Sequence, residues 1–493
     1  MIVLDSNSNP KQQGVDSKSD PHTAGTSVGP SHQQPLLINT AASPPPPPPY
    51  NSQPSHPYYP YYPTPVQYRQ SPAKRFWGAF AVALLIWALF VMFTNSFIEM
   101  SHGLRQRVYA QLSGDSEPGR PEPSDGIVHS CVGSGNWSEY HERPNWAWGY
   151  PHGAETSFEL DVDSAALYLV SRGSRHSGGV NIVQSEVEGD KVGVNVRVGY
   201  YYEPALARAT VCLLERRQGE NGVGIFTPTW ILDPHRDWKD NLKFEVTVTL
   251  PAGKDDEALN IKNFDAHTPL FSYNVGTFFD SVFFEKISIR TSNMPIKVGH
   301  VTTGVGSFQS SNAAIDGNFN TDTALTLVTS NARVTVAVDL LNRENARATE
   351  LEVKTSNGLI DASVLLESST GSGGSFKVST TTSNSPLMLK FPSSPASSHL
   401  ECTARTSNSH ADVQMHAAFE GRFEVDTSNM WPSLQQRQDV EDPAHQGRRR
   451  VVDEVRRTKN HISGKVYWGN EGVGRNGGFV SVRTSNAMAK LTV

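Results

Sequence analysis

Apolar and polar residues alternate along most of the C-terminal half of the chain, and a recurring tripeptide, Thr-Ser-Asn, interrupts the alternation. Before most copies, apolar residues stand six and four positions ahead of the asparagine, as Leu351 and Val353 do for Asn357. After it, they stand three, five and seven positions on, as Ile360 and Val364 do. A period of two is typical of a β-strand with one buried face. The pattern therefore predicts a strand on each side of every tripeptide.

The tripeptide or a close variant occurs eight times. Its asparagines are Asn293, Asn312 (in Ser-Ser-Asn), Asn331, Asn357, Asn384, Asn408, Asn429 and Asn486. The successive intervals between these positions are 19, 19, 26, 27, 24, 21 and 57 residues, so seven copies recur at the length of one supersecondary unit. Counted from Asn, the apolar residues lie at even distances before the tripeptide and at odd distances after it. A straight strand cannot change its alternation in this way, so the chain must bend at the tripeptide. Counting in twos along the first strand places Thr and Asn on the buried face and Ser outside.

Units of this kind bury their apolar faces by stacking on one another. We therefore predict an all-β fold in which residues 291–493 form a β-solenoid, specifically a β-helix, with coils about 4.8 Å apart and with Asn and Thr ladders at the corners. Asn suits such a corner because it tolerates left-handed backbone angles and bonds to main-chain groups. The alternative is an array of hairpins with Ser-Asn-Gly tips, but Gly follows only Asn357.

The remaining parts of the C-terminal region are less regular. Residues 127–290 are predicted to be all-β, as a cap or as early coils. The aromatic segment 136–150 is interpreted as a cap over the open end, and a surface that stacks on sugars is the alternative. The charged stretch 431–459 is predicted to be a loop that leaves the solenoid, with proteolysis at its basic pairs as the alternative.

The three cysteines fall at different kinds of position. Cys402 lies six residues before Asn408, in the inward register, which indicates a buried thiol. Cys131 and Cys212 remain as a candidate disulfide, and no CxxC spacing indicates a metal or redox site.

An apolar stretch precedes the repeats. All 23 residues from Phe76 to Ile98 are uncharged, which is long enough to cross a bilayer. We predict one transmembrane helix within residues 73–99, followed by a linker over residues 100–126. The stretch lies too far from the N-terminus for a cleavable signal peptide, so it is predicted to be a signal anchor.

The orientation of this predicted span follows from its flanks. Three basic residues precede it and two follow it, and Asn136 begins an Asn-Trp-Ser sequon that makes it a glycosylation candidate. Both features indicate a type II single-pass protein with a cytoplasmic N-terminus and a lumenal or extracellular ectodomain. Whether this is the plasma membrane or another membrane of the secretory pathway stays open.

Residues 1–72 are rich in Pro, Tyr, Ser and Gln and are predicted to be a disordered tail, because such sequence buries too little apolar surface to fold. The motif Pro47-Pro48-Pro49-Tyr50 resembles the PPxY ligand of WW domains. One hypothesis is therefore a cytosolic adaptor for WW-domain proteins, and a solvated spacer is the alternative.

Net charge and sequence motifs limit the partners and activities that we expect of this chain. A net charge of -6 and a pI near 6.2 argue against nucleic acid as a partner. Carboxylates such as Asp316, Asp339 and Glu352 do not recur at matching positions of the repeats and are interpreted as solvated surface. No G-x-S-x-G, Walker or H-E-x-x-H motif occurs. We expect no enzyme activity, no metal and no cofactor, with a carbohydrate-active β-helix enzyme as the alternative.

The repeat cores LEVKTSNGLIDASVLL and FVSVRTSNAMAKLTV resemble the β-solenoid domains called putative adhesins. The combination of these repeats with a Pro/Tyr-rich tail and one span is similar to that of uncharacterised single-pass membrane proteins of fungi. The resemblance covers roughly residues 150–493, and the insertion after Asn429 departs from a regular repeat. It implies a surface-displayed, non-catalytic domain with a binding, adhesion or structural role. It names no ligand. The partners that we predict are a lipid bilayer for the span and a cell-wall glycan or surface protein for the ectodomain.

Overall fold

Alternating burial along the strands builds the fold. In β16 (Val334–Asn342), for example, Val334, Val336, Val338 and Leu340 are buried while the residues between them face outward. The computed structural model describes residues 119–133, 135–140, 149–229, 237–438, 440–469 and 477–493. The predicted tail with its Pro47–Tyr50 motif and the predicted span lie outside the described residues. Among the described residues, no helix combines the length and apolarity needed to cross a membrane.

The regular structure of the described residues is almost entirely strand, which confirms the predicted all-β class. The first twelve strands are β1 (Ile127–Val132), β2 (Ser138–Glu139), β3 (His152–Asp161), β4 (Ala166–Arg172), β5 (His176–Glu188), β6 (Lys191–Tyr200), β7 (Thr210–Glu215), β8 (Glu220–Phe226), β9 (Leu242–Ala252), β10 (Leu259–Ile261), β11 (Phe264–His267) and β12 (Phe271–Thr277). A short helix, α1 (Glu203–Leu206), and the 3-10 turns Pro123–Asp125, Trp238–Asp240 and Lys254–Asp256 lie among them.

The other strands carry the repeats. They are β13 (Val282–Arg290), β14 (Ile296–Gln309), β15 (Ile315–Val328), β16 (Val334–Asn342), β17 (Thr349–Lys354), β18 (Ile360–Ser368), β19 (Ser375–Thr381), β20 (Leu387–Ser393), β21 (His399–Arg405), β22 (Ala411–Gln414), β23 (Gly421–Asp426), β24 (Ser433–Gln435), β25 (Arg450–Arg457), β26 (His461–Trp468), β27 (Gly478–Arg483) and β28 (Ala489–Thr492).

Strands that follow a corner pair in parallel and form what we call the front stack. In order it contains β12, the first half of β14, the first half of β15, β16, β18, β20, β22, β28 and β24. Strands that precede a corner form the back stack, again in parallel. It contains β11, β13, the second halves of β14 and β15, β17, β19, β21, β27 and β23. The buried side chains of both stacks form one apolar cluster.

Antiparallel strands close both stacks. At the N-terminal end, the front stack continues through β5 and β9 to the antiparallel strands β6, β3 and β2. The back stack continues through β4 and β8 to β7 and β1. At the C-terminal end, β26 pairs antiparallel with β23, and β25 pairs antiparallel with β26. Residues 127–290 therefore belong to the same two stacks as the repeats.

The order of strands in the stacks differs from their order in the chain. β27 lies between β21 and β23, and β28 lies between β22 and β24. The last tripeptide, with Asn486, therefore lies between those of Asn408 and Asn429. This position accounts for the interval of 57 residues, because the intervening chain forms β24, the antiparallel strands β25 and β26, and β27.

The charged stretch 431–459 differs from the predicted loop. It contains β24 and β25, and its Arg448 side chain bonds to Asp442, with Nη2 2.8 Å from Oδ1. Asp442 also accepts backbone bonds from Ala444, Gln446 and Arg448. These bonds hold Arg448, and strand pairing orders Arg450, while Arg456 and Arg457 are exposed on β25. Proteolysis at the basic pairs stays an open alternative.

Each corner rests on a buried hydroxyl and a shared carbonyl. The first residue of the tripeptide is buried at all eight corners, and Thr382, for example, donates its hydroxyl to the Gly358 carbonyl of the neighbouring coil at 3.1 Å. The Ser356 carbonyl accepts both the Ser383 amide at 3.1 Å and the Asn384 amide at 2.9 Å. The bend therefore leaves few backbone donors unpaired.

The eight corner asparagines form one uninterrupted ladder. Seven bonds join them: every Nδ2 except that of Asn293 donates to the Oδ1 of the asparagine at a neighbouring corner, at 2.6 or 2.7 Å. The predicted placement of Asn on the buried face is wrong, because the chain turns after the buried Thr and all eight asparagines are exposed. Left-handed backbone angles are not the reason for Asn either, since none of the eight has a positive φ.

A substitution series tests the ladder. Asn384→Ala removes both bonds of an inner rung, whereas Asn293→Ala removes the single bond of an end rung. A hydrogen bond contributes about 1 kcal/mol net, so we expect the free energy of unfolding to fall by about 2 and about 1 kcal/mol, respectively. Denaturant titration of the purified protein measures both. Ser407→Ala is the control, since the Ser407 hydroxyl bonds to no other described residue, and equal losses in all three variants would contradict the ladder's role.

Candidate functional site

A cleft of about 460 Å³ opens on the outer face of the front stack. It runs along the stacking direction from the end of β12 across β14 and β15 to β16. Its volume lies within the range of roughly 300 to 1,000 Å³ that small-molecule sites occupy. The residues that line it are Thr277, Phe279, Gly299, His300, Asn318, Phe319, Ala337 and Asp339.

A β-bulge in β14 shapes this cleft. Between Val298 and Val301 the strand has one residue more than its partner β15, in which Gly317 and Phe319 occupy the corresponding positions. A bulge re-aims the side chains beside it. The carbonyl of Gly299 in the bulge accepts a bond from Asn318 Nδ2 at 2.7 Å. Asn318 therefore holds the bulge, and with it His300, in place.

Gly299 is glycine for a steric reason. A Cβ atom added there would lie 2.3 Å from Thr277 Oγ1 and 2.9 Å from the Gly276 backbone. The neighbouring strand β12 therefore approaches β14 more closely than any side chain permits.

Phe279 forms an aromatic wall of the cleft. Its side chain is 62% exposed, and its backbone has φ 42°, a left-handed conformation that is rare for a bulky residue. Two bonds hold the segment in this conformation, from Thr302 Oγ1 to the Phe279 carbonyl at 2.9 Å and from the Phe278 amide to the His300 carbonyl at 3.0 Å. Strain of this kind is concentrated at functional sites.

The ring of Phe279 stacks on the imidazole of His300, with centroids 4.9 Å apart and an interplanar angle of 29°. His300 Nδ1 is buried and has no hydrogen-bond partner. A buried nitrogen without a partner is unusual and is often explained by a ligand or water. The pair therefore offers the exposed ring of Phe279 to the cleft, backed by an imidazole whose Nδ1 is covered by the protein.

Asp339 forms the opposite, charged side of the cleft. It lies on β16, is partly buried, and has no hydrogen-bond or ion-pair partner among the described residues. Burial raises the pKa of its carboxyl, and nearby His300 partly opposes this rise. Its interpretation as solvated surface is therefore corrected.

The arrangement suits a polyhydroxylated ligand. Exposed aromatic rings pack against the apolar faces of such molecules, and amide, imidazole and carboxylate groups can bond to their hydroxyls. Among the described residues, no group of three or more His, Cys, Asp or Glu side chains could hold a metal ion.

Sequence reasoning missed this site. The doublet Phe278–Phe279 was one available signal, because two adjacent aromatic residues break a period of two and one of them must face outward. The other was Gly299–His300, which interrupts the alternation of β14. Neither signal indicates that Phe279 and His300 meet, since their contact depends on how many residues each repeat contains.

The residues predicted as sites lie elsewhere. Asn136 is exposed just before β2, as a glycosylation acceptor must be. A disulfide between Cys131 and Cys212 joins β1 to β7. Cys402 is buried in β21, and burial raises the pKa of its thiol to about 12. None of these residues, and none of the corner asparagines, lines the cleft.

The aromatic segment 136–150 is described only in part. Its Trp137 packs against the core cluster, in keeping with a cap. Its Tyr150 lies beside Tyr201, with ring centroids 4.8 Å apart, and Tyr201 in turn contacts the exposed Trp238.

Comparisons with known proteins do not assign this chain to a family. No protein-family model and no curated protein matches the chain. Among solved structures, it is similar to a putative cell adhesion protein from Clostridium sporogenes, with 8% identity, a TM-score of 0.15, and coverage of 69% of this chain and 99% of that chain. It is also similar to a putative adhesin from Bacteroides fragilis, with 9% identity, a TM-score of 0.23, and coverage of 53% and 97%. At TM-scores this low, neither likeness indicates what this chain binds.

The close approach of β12 to Gly299 can be tested by substitution. Gly299→Ala is expected to lower the free energy of unfolding by about 1 to 3 kcal/mol, because the added methyl group overpacks against β12. Gly193→Ala is a matched control on a strand, since the nearest atom to its Cβ would be 3.9 Å away, and it is expected to be neutral or slightly stabilising. Thermal unfolding followed by circular dichroism compares the two. Similar behaviour of both variants would contradict the close approach at Gly299.

Proposed function

We propose that this chain is a membrane-anchored, surface-displayed β-solenoid that binds a saccharide without catalysis, through the cleft between Phe279 and Asp339. The observation that carries the proposal is the exposed Phe279 ring, which is held in a left-handed conformation and stacked on His300. Aromatic faces flanked by a few convergent polar groups are typical of sites for ligands that have both apolar and hydroxylated surfaces.

The solenoid interpretation rests on strand pairing. The strands on both sides of each corner pair in parallel with strands one coil away, as Val334 in β16 does with Ile360 in β18. An array of hairpins would instead pair consecutive strands antiparallel. Parallel pairing and the continuous asparagine ladder both favour stacked coils over hairpins.

Binding rather than hydrolysis is supported by the carboxyl content of the cleft. Glycoside hydrolysis generally uses two carboxyl groups on opposite sides of the scissile bond. Among the described residues that line the cleft, Asp339 is the single carboxyl. The carbohydrate-active enzyme remains the alternative that a binding experiment has to test.

Display on a surface is proposed from the sequence. The apolar stretch from Phe76 to Ile98 is long enough to span a bilayer, and the ectodomain then carries the cleft outside the cytoplasm. A recruiting role for Pro47–Tyr50 toward WW domains is a separate prediction for the tail.

Saccharide binding has a direct test. The purified full-length protein in detergent is applied to a glycan array, and positive ligands are titrated by calorimetry. Phe279→Ala is expected to weaken binding about tenfold or more, because a lost ring contact of about 1.4 kcal/mol corresponds to a factor of ten. Trp238→Ala, which removes an exposed aromatic outside the cleft, is expected to leave binding unchanged. Absence of binding to every glycan would overturn the proposal, and cleavage of a bound glycan would establish the enzyme alternative.

Orientation has its own test. If the ectodomain is lumenal or extracellular, Asn136 is expected to carry a glycan in a eukaryotic host, seen as a mobility shift that an endoglycosidase removes. Asn136→Gln abolishes the shift, while Ser138→Thr preserves the sequon and keeps it. Protease added to intact cells should then degrade the repeats and leave the tail. Cleavage of the tail from outside would refute the orientation.

A further inference from the structure

We propose that the saccharide carries a free amine, and that its ammonium group pairs with Asp339 while a neighbouring sugar ring stacks on Phe279. The ligand class is therefore an oligosaccharide that contains an unacetylated amino sugar. This inference rests on the proposed saccharide site and goes beyond it by naming the group that the site selects.

The first step is the isolation of Asp339 on its strand. Its neighbours in the adjacent strands of the front stack are Asn320 in β15 and Leu365 in β18, and neither carries a charge. Asp339 makes no ion pair with any described residue. A partly buried carboxylate without a partner is costly, and an external cation would remove that cost.

The second step is the contrast with other acidic residues on the same stack. Asp316 pairs with Arg333 at 3.3 Å, and Asp412 pairs with Lys490 at 3.1 Å. These pairs use strand positions that also face outward. Asp316 and Asp412 are thus paired within the front stack, whereas Asp339 and Asp361 make no ion pair with any described residue. Of these four carboxylates, Asp339 is the one that lines the cleft.

The third step concerns His300, the other titratable side chain that lines the cleft. Its ring stacks on Phe279, and no hydrogen bond or ion pair joins its imidazole to the Asp339 carboxyl. The carboxyl is therefore left without a direct partner inside the cleft.

The fourth step is the length of the cleft. The cleft crosses β12, β14, β15 and β16, which are three steps of about 4.8 Å, or roughly 14 Å along the stack. That length exceeds one sugar ring. Phe279 at one end and Asp339 at the other can thus contact different rings of one short chain, with Asn318 between them.

The test uses three β-1,4-linked tetrasaccharides that differ in the substituent at C2: the tetramer of glucosamine, the tetramer of N-acetylglucosamine, and cellotetraose. Each is titrated into the full-length protein in detergent at neutral pH. We expect the glucosamine tetramer to bind at least about tenfold more tightly than the other two, corresponding to about 1.4 kcal/mol.

Asp339→Asn keeps the shape of the side chain and removes its charge. It is expected to abolish the preference for the amine, so that the glucosamine tetramer binds this variant no more tightly than cellotetraose does. Asp361→Asn is the matched control, since it makes the same change in net charge at an outward position of β18 that does not line the cleft. It should leave the preference intact, which separates a specific ion pair from general electrostatic attraction.

The outcomes distinguish the two proposals. Equal affinity for the glucosamine tetramer and cellotetraose, or a preference that survives in Asp339→Asn, would overturn the amine inference while the saccharide site stands. A preference lost equally in Asp339→Asn and Asp361→Asn would also overturn it. Absence of binding by all three ligands, together with a negative glycan array, would overturn both.

Discussion

The corner hydrogen bonds are the constraint on which the rest of the structure depends. A strand can stack on the next coil only if the chain turns at the same height and in the same direction each time. The buried Thr hydroxyl and the Ser carbonyl that accepts two amides fix that turn. Side chains along a strand alternate between its two faces. A shift of one residue at a corner would therefore place every apolar side chain of the following strand on the outside.

The exposed cleft is a consequence of the same regularity. In most coils the strands follow one another in register, and the outer face is a flat array of alternating side chains. The extra residue in β14 breaks that register between Val298 and Val301, and residues of both strands at this break line the cleft. Asn318 and the close approach at Gly299 stabilise the irregularity. A functional surface can therefore arise from a regular stack through one inserted residue, without a separate domain.

Sequence reasoning recovered what depends on local pattern and missed what depends on long-range pairing. Alternation in segments such as Val334 to Leu340 predicted the strands, and the change of parity predicted the bend. Extending the alternation of the preceding strand could not predict that Asn is exposed. That extrapolation assumes that the chain stays extended through the tripeptide, where it turns. The stretch 431–459 was predicted to be a loop because its charged residues interrupt the apolar alternation, so β24 and β25 could not be recognised. The cleft depends on which coil lies beside which, and repeat spacing alone does not give this.

The position of Asn486 between Asn408 and Asn429 has a consequence for how the molecule is assembled. The strands β27 and β28 come last along the chain, yet they lie inside the stacks, with β23 and β24 beyond them. Coils cannot simply be added in the order of synthesis, since the coil at β23 and β24 finds its partner only when residues 478–493 have emerged. Until then, the edges of β21 and β22 expose unpaired backbone groups that favour aggregation. The insertion of β27 and β28 therefore acts as a latch, because β23 and β24 can join the two stacks only through these strands.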